Sequence, residues 1–329
     1  MANDGDIGLV LSGGGAKGAF QAGVWKAMNE LGLARRIRVI SGTSAGALNA
    51  AAFATMPDPE STCDFWRNHV GEVATSNLRN LSFDSFRRAA ENVLSGKAFP
   101  FHGLLDRGEL ERLIRGLMPE RWPADAPEVV ATTLECRGGI LEELDPSSYR
   151  LKRFRIGDEA DPERRLAKLV ASAAIPWGFD PVEIDGNRYV DGGWDEKGGE
   201  NIPVMPVLED PSGIRTVIVV RCNSADLEPE PLGVSVPPGV RLVEVRPRSP
   251  LKGLFDGLSD LVPEGKHIRD LGFLGRILAD KLDNIGKQLR IWSGTFAFDR
   301  DCATNFIRQG HDDGLASLRH LRPKEKLNW

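Results

Sequence analysis

The chain opens with a short apolar run at residues 7–11, Ile-Gly-Leu-Val-Leu, cut off by Ser12 and a cluster of glycines. Residues 19–31 follow with apolar side chains at helical spacing: Ala22, Val24, Trp25, Ala27, Met28 and Leu31. Gly32 then stands where a helix ends. A second apolar run at 37–40 leads into an alanine-rich stretch at 45–55, which Pro57 and Pro59 bring to a stop. Short apolar runs alternating with helical patterns predict an α/β fold, a mostly parallel sheet covered by helices on both faces.

Residues 61–118 read as mainly helical, and 109–117 place Leu110, Leu113, Ile114 and Leu117 on one face. Pro119, Pro123 and Pro127 punctuate the chain before an expected strand at 129–134. Arg137-Gly138-Gly139 reads as a turn into a further strand at 140–144, and a helix is expected over 162–174. Pro176 and Pro181 bracket a bend. Residues 182–184 and 188–190 then form a candidate hairpin about Asp185-Gly186-Asn187. Further strands are expected at 216–222 and 242–245, within and beside a proline-rich, irregular stretch at 224–250. Beyond it Ile268, Leu271, Leu274, Leu278, Leu282, Ile285 and Leu289 form a helical stripe. The expected division is a core over 5–225 and a C-terminal extension over 226–329, one strand plus helices, packed on that core.

Composition narrows the function classes. The 329 residues are 41% hydrophobic and 27% charged, ordinary for a soluble globular protein. A net charge of −5 gives no electrostatic reason to propose nucleic acid as a partner. Cys63, Cys136, Cys222 and Cys302 are widely spaced and form no CxxC pair, so neither a metal site nor a disulfide framework is expected. Residues 1–6 are acidic and short, unlike a secretory leader. No stretch approaches the roughly 20 apolar residues of a spanning helix. A cytoplasmic protein with reduced thiols is the expectation.

The candidate chemistry begins at Gly42-Thr43-Ser44-Ala45-Gly46, between the second apolar run and the alanine-rich helix. This is strand, sharp turn, helix, with a serine at the apex. Gly42 and Gly46 leave room for a strained turn that lifts the hydroxyl clear, and the helix N-terminus adds partial positive charge. Ser44 is thus a candidate nucleophile; the competing reading is an ordinary helix-capping serine.

Gly13-Gly14-Gly15-Ala16-Lys17-Gly18 follows the first strand and opens a helix. It satisfies GxGxxG, but the acidic residue a dinucleotide site wants at the end of the second strand is replaced by the serine turn. A phosphate-binding loop of the Walker type fails too, since Ala19-Phe20 follow Gly18. What remains is an anion cradle of backbone amides. Beside a serine nucleophile, that anion is the tetrahedral intermediate of acyl transfer. Adjacent parallel strands would bring both turns to the same carboxyl edge of the sheet.

A base is needed as well. None of His69, His102, His267, His311 and His320 lies in an apparent turn beside a strand end. Tyr189-Val190-Asp191-Gly192-Gly193, in contrast, ends a short strand on an aspartate followed by two glycines, which permit a sharp turn and close approach.

Together these motifs resemble the patatin-like phospholipases, serine acyl hydrolases with a Ser-Asp dyad. The likeness extends to Ala171-Ser172-Ala173-Ala174-Ile175-Pro176 with Phe179 and Pro181, and spans about 7–204. It implies a three-layer α/β/α core, Ser44 as nucleophile and Asp191 as general base. It implies an oxyanion hole at Gly13, Gly14, Gly15 and Ala16, supported by Lys17, Gly18, Gly42, Gly46, Gly192 and Gly193, with no cofactor or metal. Lys17 stands where the family usually has arginine, and lysine lacks arginine's planar fork. Residues 194–200 run a few residues longer than usual, which is expected to reshape the rim of the site.

The substrate so implied is a lipid or other fatty-acyl ester. Phe20, Trp177, Phe179 and Trp194 suit either an acyl-chain pocket or core packing. The stripe at 268–289, flanked by Lys266, Arg269, Arg276, Lys281, Lys287 and Arg290, suits either an anionic bilayer or the core. Two rival readings stay open: a Ser44–Asp191–His267 triad on an α/β-hydrolase fold, and a nucleotide- or anion-binding module built on the glycine loop.

Overall fold

The computed structural model describes residues 6–56, 58–69, 107–137, 148–175, 179–194, 198–211, 213–223, 230–252 and 299–323. Within them eight strands form one sheet. They are β1 (Ile7–Leu11), β2 (Ile37–Thr43), β3 (Glu128–Cys136), β4 (Tyr149–Arg155), β5 (Val182–Ile184), β6 (Asn187–Asp191), β7 (Thr216–Val220) and β8 (Arg241–Val245). The strand path is β5-β6-β3-β2-β1-β7-β8, with β4 also paired to β3. From β3 to β8 the neighbours are parallel, whereas β4, β5 and β6 join antiparallel. β1 lies between two parallel neighbours and is buried along its whole length, which is why it reads as an unbroken apolar run.

Helices cover the sheet. They are α1 (Gly18–Glu30), α2 (Ala45–Thr55), α3 (Pro59–Asp64), α4 (Arg107–Arg115), α5 (Pro162–Ala173), α6 (Met205–Leu208) and α7 (Arg300–Leu318). One face packs Leu9, Leu11, Ile40, Ala131 and Val220 against apolar residues of α1, α2, α5 and α7. The other packs Val10, Val39, Val217 and Val219 against Ile202, Val204, Val207 and Ile214. Alternation along each strand thus feeds two cores. α3, α5 and α7 each begin on an aspartate, Asp58, Asp161 or Asp299, whose side chain accepts an amide of the first turn. α7 crosses α1 at backbone contact: a Cβ on Gly23 would sit 2.0 Å from the Ile307 carbonyl oxygen, and one on Gly310 2.0 Å from that of Phe20.

The expected elements recur with some changes. The run at 37–40 continues to Thr43, because Ser41, Gly42 and Thr43 stay in register beside β1 or β3. The hairpin turns through Asp185 and Gly186, both at positive φ, as a two-residue turn requires. β4 was not expected. Its sequence, Tyr-Arg-Leu-Lys-Arg-Phe-Arg, alternates exposed Arg150, Lys152 and Arg155 with partly buried positions, so it lacks an apolar run. Charges of this kind protect an edge strand from unwanted pairing. In the 61–118 region, α3 runs into a π-helical turn at Phe65–His69, and α4 carries Leu110 and Ile114 into the core. The strand expected at 140–144 and the stripe at 268–289 lie outside the described residues.

The register of β3 positions the site. β4 pairs with β3 from Val130 to Cys136 and so occupies one edge. β2 and β6 therefore share the other. β2 runs parallel to β3 and ends with Thr43 opposite Thr132; β6 runs antiparallel and ends with Asp191 opposite Thr133. The two strands meet head to head on adjacent residues of β3.

Candidate active site

Ser44 follows the last residue of β2 and precedes the first of α2. Its backbone sits at φ 56, ψ −128. Among the described non-glycine residues only Asp185 shares a positive φ. Such a conformation costs of order 1–3 kcal/mol and persists only when surroundings over-determine it. Here they do. A Cβ on Gly46 would lie 2.3 Å from the Leu11 carbonyl oxygen, and one on Gly42 2.3 Å from that of Gly46. The turn is thus pressed against the end of β1 with no space for larger residues. The Ser44 amide donates to Ser172 Oγ at 3.1 Å, and its carbonyl accepts from Ala47 at 2.9 Å to start α2.

The glycine loop lies directly alongside. A Cβ on Gly13 would come within 3.3 Å of Ser44 Cβ and 2.5 Å of Asn201 Oδ1. The Gly13 amide is turned away, donating to the Asn201 carbonyl at 3.1 Å. The chain then turns through Gly15, at φ 55, into α1. Among the described residues the amides of Gly14 and Gly15 have no hydrogen-bond acceptor, so these two can meet an anion. Lys17 is buried, with Nζ 3.4 Å from Asn223 Oδ1. Its buried stem and this contact tie the loop to the segment after β7.

A polar network fixes the loop from behind. Trp66 Nε1 donates to Asn49 Oδ1, Asn49 Nδ2 donates to the Gly18 carbonyl and to Gln21 Oε1, and Gln21 Nε2 donates to the Ser12 carbonyl. All four distances are 2.7–2.9 Å. Sequence reasoning passed over Trp66, Asn49 and Gln21. The available signal was a lone amide, Asn49, in an otherwise apolar helix. Asn201 belongs with them: its carbonyl holds Gly13, and its side chain donates to Glu230 at 3.0 Å.

Asp191 closes the arrangement. Its amide donates to the Ala174 carbonyl at 2.9 Å, and its Oδ1 accepts the Gly193 amide at 2.8 Å. Oδ2 is buried and lacks a hydrogen-bond partner among the described residues. Burial pushes the carboxyl up to about 6, while the nearby Ser44 hydroxyl and the Gly193 amide pull the other way. The Ser44 hydroxyl is thus close enough to favour the ionised form without making a full hydrogen bond to Oδ2. A buried carboxylate with a free oxygen, raised basicity and a hydroxyl beside it is equipped to take a proton.

Other candidates lie elsewhere. His69 and His320 are exposed, and His311 Nε2 sits 2.9 Å from Glu30 on the surface. His102 and His267 lie outside the described residues. Phe20 is fully buried in the main core and Phe179 packs against it, while Trp194 stacks edge-on with Tyr149. Trp177 lies outside the described residues. Among the described residues no cluster of three His, Cys, Asp or Glu side chains could hold a metal ion.

A family model described as Patatin-like phospholipase matches residues 9–208. The chain is 25% identical over 239 residues to lysophospholipase NTE1 of Cryptococcus neoformans var. neoformans serotype D, across 70% of this chain and 12% of that protein. It is 46% identical over 114 residues to a patatin-like phospholipase domain-containing protein of Caenorhabditis elegans, across 34% of this chain and 8% of that one. The match thus spans a small part of either relative's length. Among solved structures, human GIVD cytosolic phospholipase A2 bound to methyl gamma-linolenyl fluorophosphonate and terbium chloride aligns with a TM-score of 0.47. Identity there is 14%, over 97% of this chain and 58% of that one.

Proposed function

The chain belongs to the patatin-like phospholipase family, and from that premise we propose that it hydrolyses fatty-acyl esters of lipids through a Ser44–Asp191 dyad. The observation that carries this reading is the buried Asp191 carboxylate, whose Oδ2 has no hydrogen-bond partner among the described residues, next to a serine on a strained strand-to-helix turn. As Ser44 Oγ attacks the ester carbonyl, Asp191 takes its proton. The oxyanion is met by the Gly14 and Gly15 amides, and loss of one such donor typically costs about 100- to 1,000-fold in rate. The intermediate collapses, the alcohol leaves with the proton from Asp191, and water then cleaves the acyl-enzyme by the same route. With a pKa of about 6, Asp191 is mostly ionised at neutral pH yet more basic than an ordinary carboxylate.

Phospholipids and lysophospholipids are the proposed substrates, in keeping with the lysophospholipase among the chain's relatives. Hydrolysis of a panel of positionally labelled lipids by wild type, Ser44→Ala and Asp191→Asn tests the reading. Both variants should be inactive; retention of most activity by either would overturn it. A histidine variant that proved equally dead would favour the triad instead.

A further inference from the structure

We propose that Ser172 is a positioning residue for this site: its hydroxyl holds the nucleophile's backbone in the reactive turn. The inference rests on the Ser44–Asp191 reading above.

Ser172 lies in the last turn of α5 and is fully buried. Its Oγ accepts the Ser44 amide at 3.1 Å and donates to the Thr132 carbonyl at 2.7 Å. Thr132 is the residue of β3 opposite Thr43, where β2 gives way to β6. Gly192 lies against the same carbonyl; a Cβ there would stand 2.4 Å from it. Two residues on, just past the end of α5, the Ala174 carbonyl accepts the Asp191 amide at 2.9 Å. One helix end therefore grips the backbone amides of both dyad members, one through a side chain and one through the main chain.

The side-chain grip is the one that matters for strain. Ser44 is held at φ 56, and a buried amide left without an acceptor is costly. A hydroxyl can accept from Ser44 and donate to Thr132 at once, which no apolar side chain of similar size can do. Without it the turn has reason to relax toward a common conformation, carrying Oγ away from the carboxylate. A misplacement of about 1 Å can cost about 100-fold in rate.

The test compares wild type, Ser44→Ala, Ser172→Ala and Thr62→Val. Thr62 is a buried hydroxyl on α3 with no contact to the dyad among the described residues. Three quantities are read: the rate at which a fluorophosphonate probe labels Ser44, kcat and KM for ester hydrolysis, and hydrogen exchange at the Ser44 amide. Ser172→Ala should label about 10- to 100-fold more slowly, lose kcat with KM little changed, and exchange faster at Ser44. Thr62→Val should match wild type in all three. If Ser172→Ala fails to fold, Ser172→Cys, whose thiol is a weaker partner, should give intermediate labelling. Wild-type labelling and exchange in the Ser172 variant would overturn the inference. Absence of probe labelling in wild type would instead sink the dyad reading, and the exchange rate at Ser44 would still decide whether Ser172 holds the turn.

Discussion

Replacing Asp191 by asparagine should remove catalysis and make the fold more stable, by an amount the burial of the carboxyl sets. Its pKa rises from an ordinary 3.8 to about 6, with desolvation the leading cause. At about 1.36 kcal/mol per pH unit, the ionised group costs the native state about 3 kcal/mol. The sign follows from proton binding. Between pH 3.8 and about 6 the folded chain binds more protons at this residue than the unfolded chain, so stability falls as pH rises through that window. About half of the cost has developed by pH 5, and above about pH 7 it is complete. Asparagine is neutral throughout and keeps an oxygen for the Gly193 amide. Urea denaturation at pH 5 and pH 8 should therefore show Asp191→Asn ahead of wild type at both, by about twice as much at pH 8. An asparagine variant that is less stable, or whose advantage ignores pH, would refute the argument that Asp191 is held ionised against a desolvation penalty.

The same carboxyl should govern the pH profile: kcat/KM for ester hydrolysis rises as pH passes about 6 and then levels. A profile flat from pH 4.5 to 8 would point to another base. Ser44→Gly, inactive by design, should gain about 1 kcal/mol in chemical denaturation, because glycine adopts φ 56 without strain; a loss would mean the turn stores none. Gly46→Ala should unfold at lower denaturant by about 1–3 kcal/mol or more, since its Cβ meets the Leu11 carbonyl at 2.3 Å. His311→Ala should leave kcat unchanged and cost at most about 1 kcal/mol, as its contact with Glu30 is a surface pair.

Much of the core was legible in the sequence for identifiable reasons. β1 and β7 are buried on both faces, so they appear as continuous apolar runs. The glycines of the serine turn answer to backbone contacts within a few residues or on the adjacent strand, whereas Gly13, Gly14 and Gly18 of the loop are hemmed in by the distant side chains of Asn201, Cys222 and Trp66; both sets still cluster visibly in the sequence. The rest depends on long-range register, which no local pattern carries. Nothing in Thr132-Thr133 announces that two strands end against it, and nothing in Ser172 announces that its hydroxyl reaches Ser44. β4 escaped notice because its charges face outward along an edge. Gly13 looked equivalent to Gly14 and Gly15, yet its amide is spent on Asn201.

The head-to-head ending of β2 and β6 on β3 makes catalytic geometry a property of hydrogen-bond spacing rather than of chain length. The proposed nucleophile follows Thr43 and the proposed base is Asp191, and those two strand ends pair with the adjacent residues Thr132 and Thr133 of one template strand. Connections between them can lengthen or shorten freely so long as both strands keep their partners on β3. Variation that reshapes what the site admits is thereby separated from variation that would disable it, and only a slip of register in β3 itself would break both arms together.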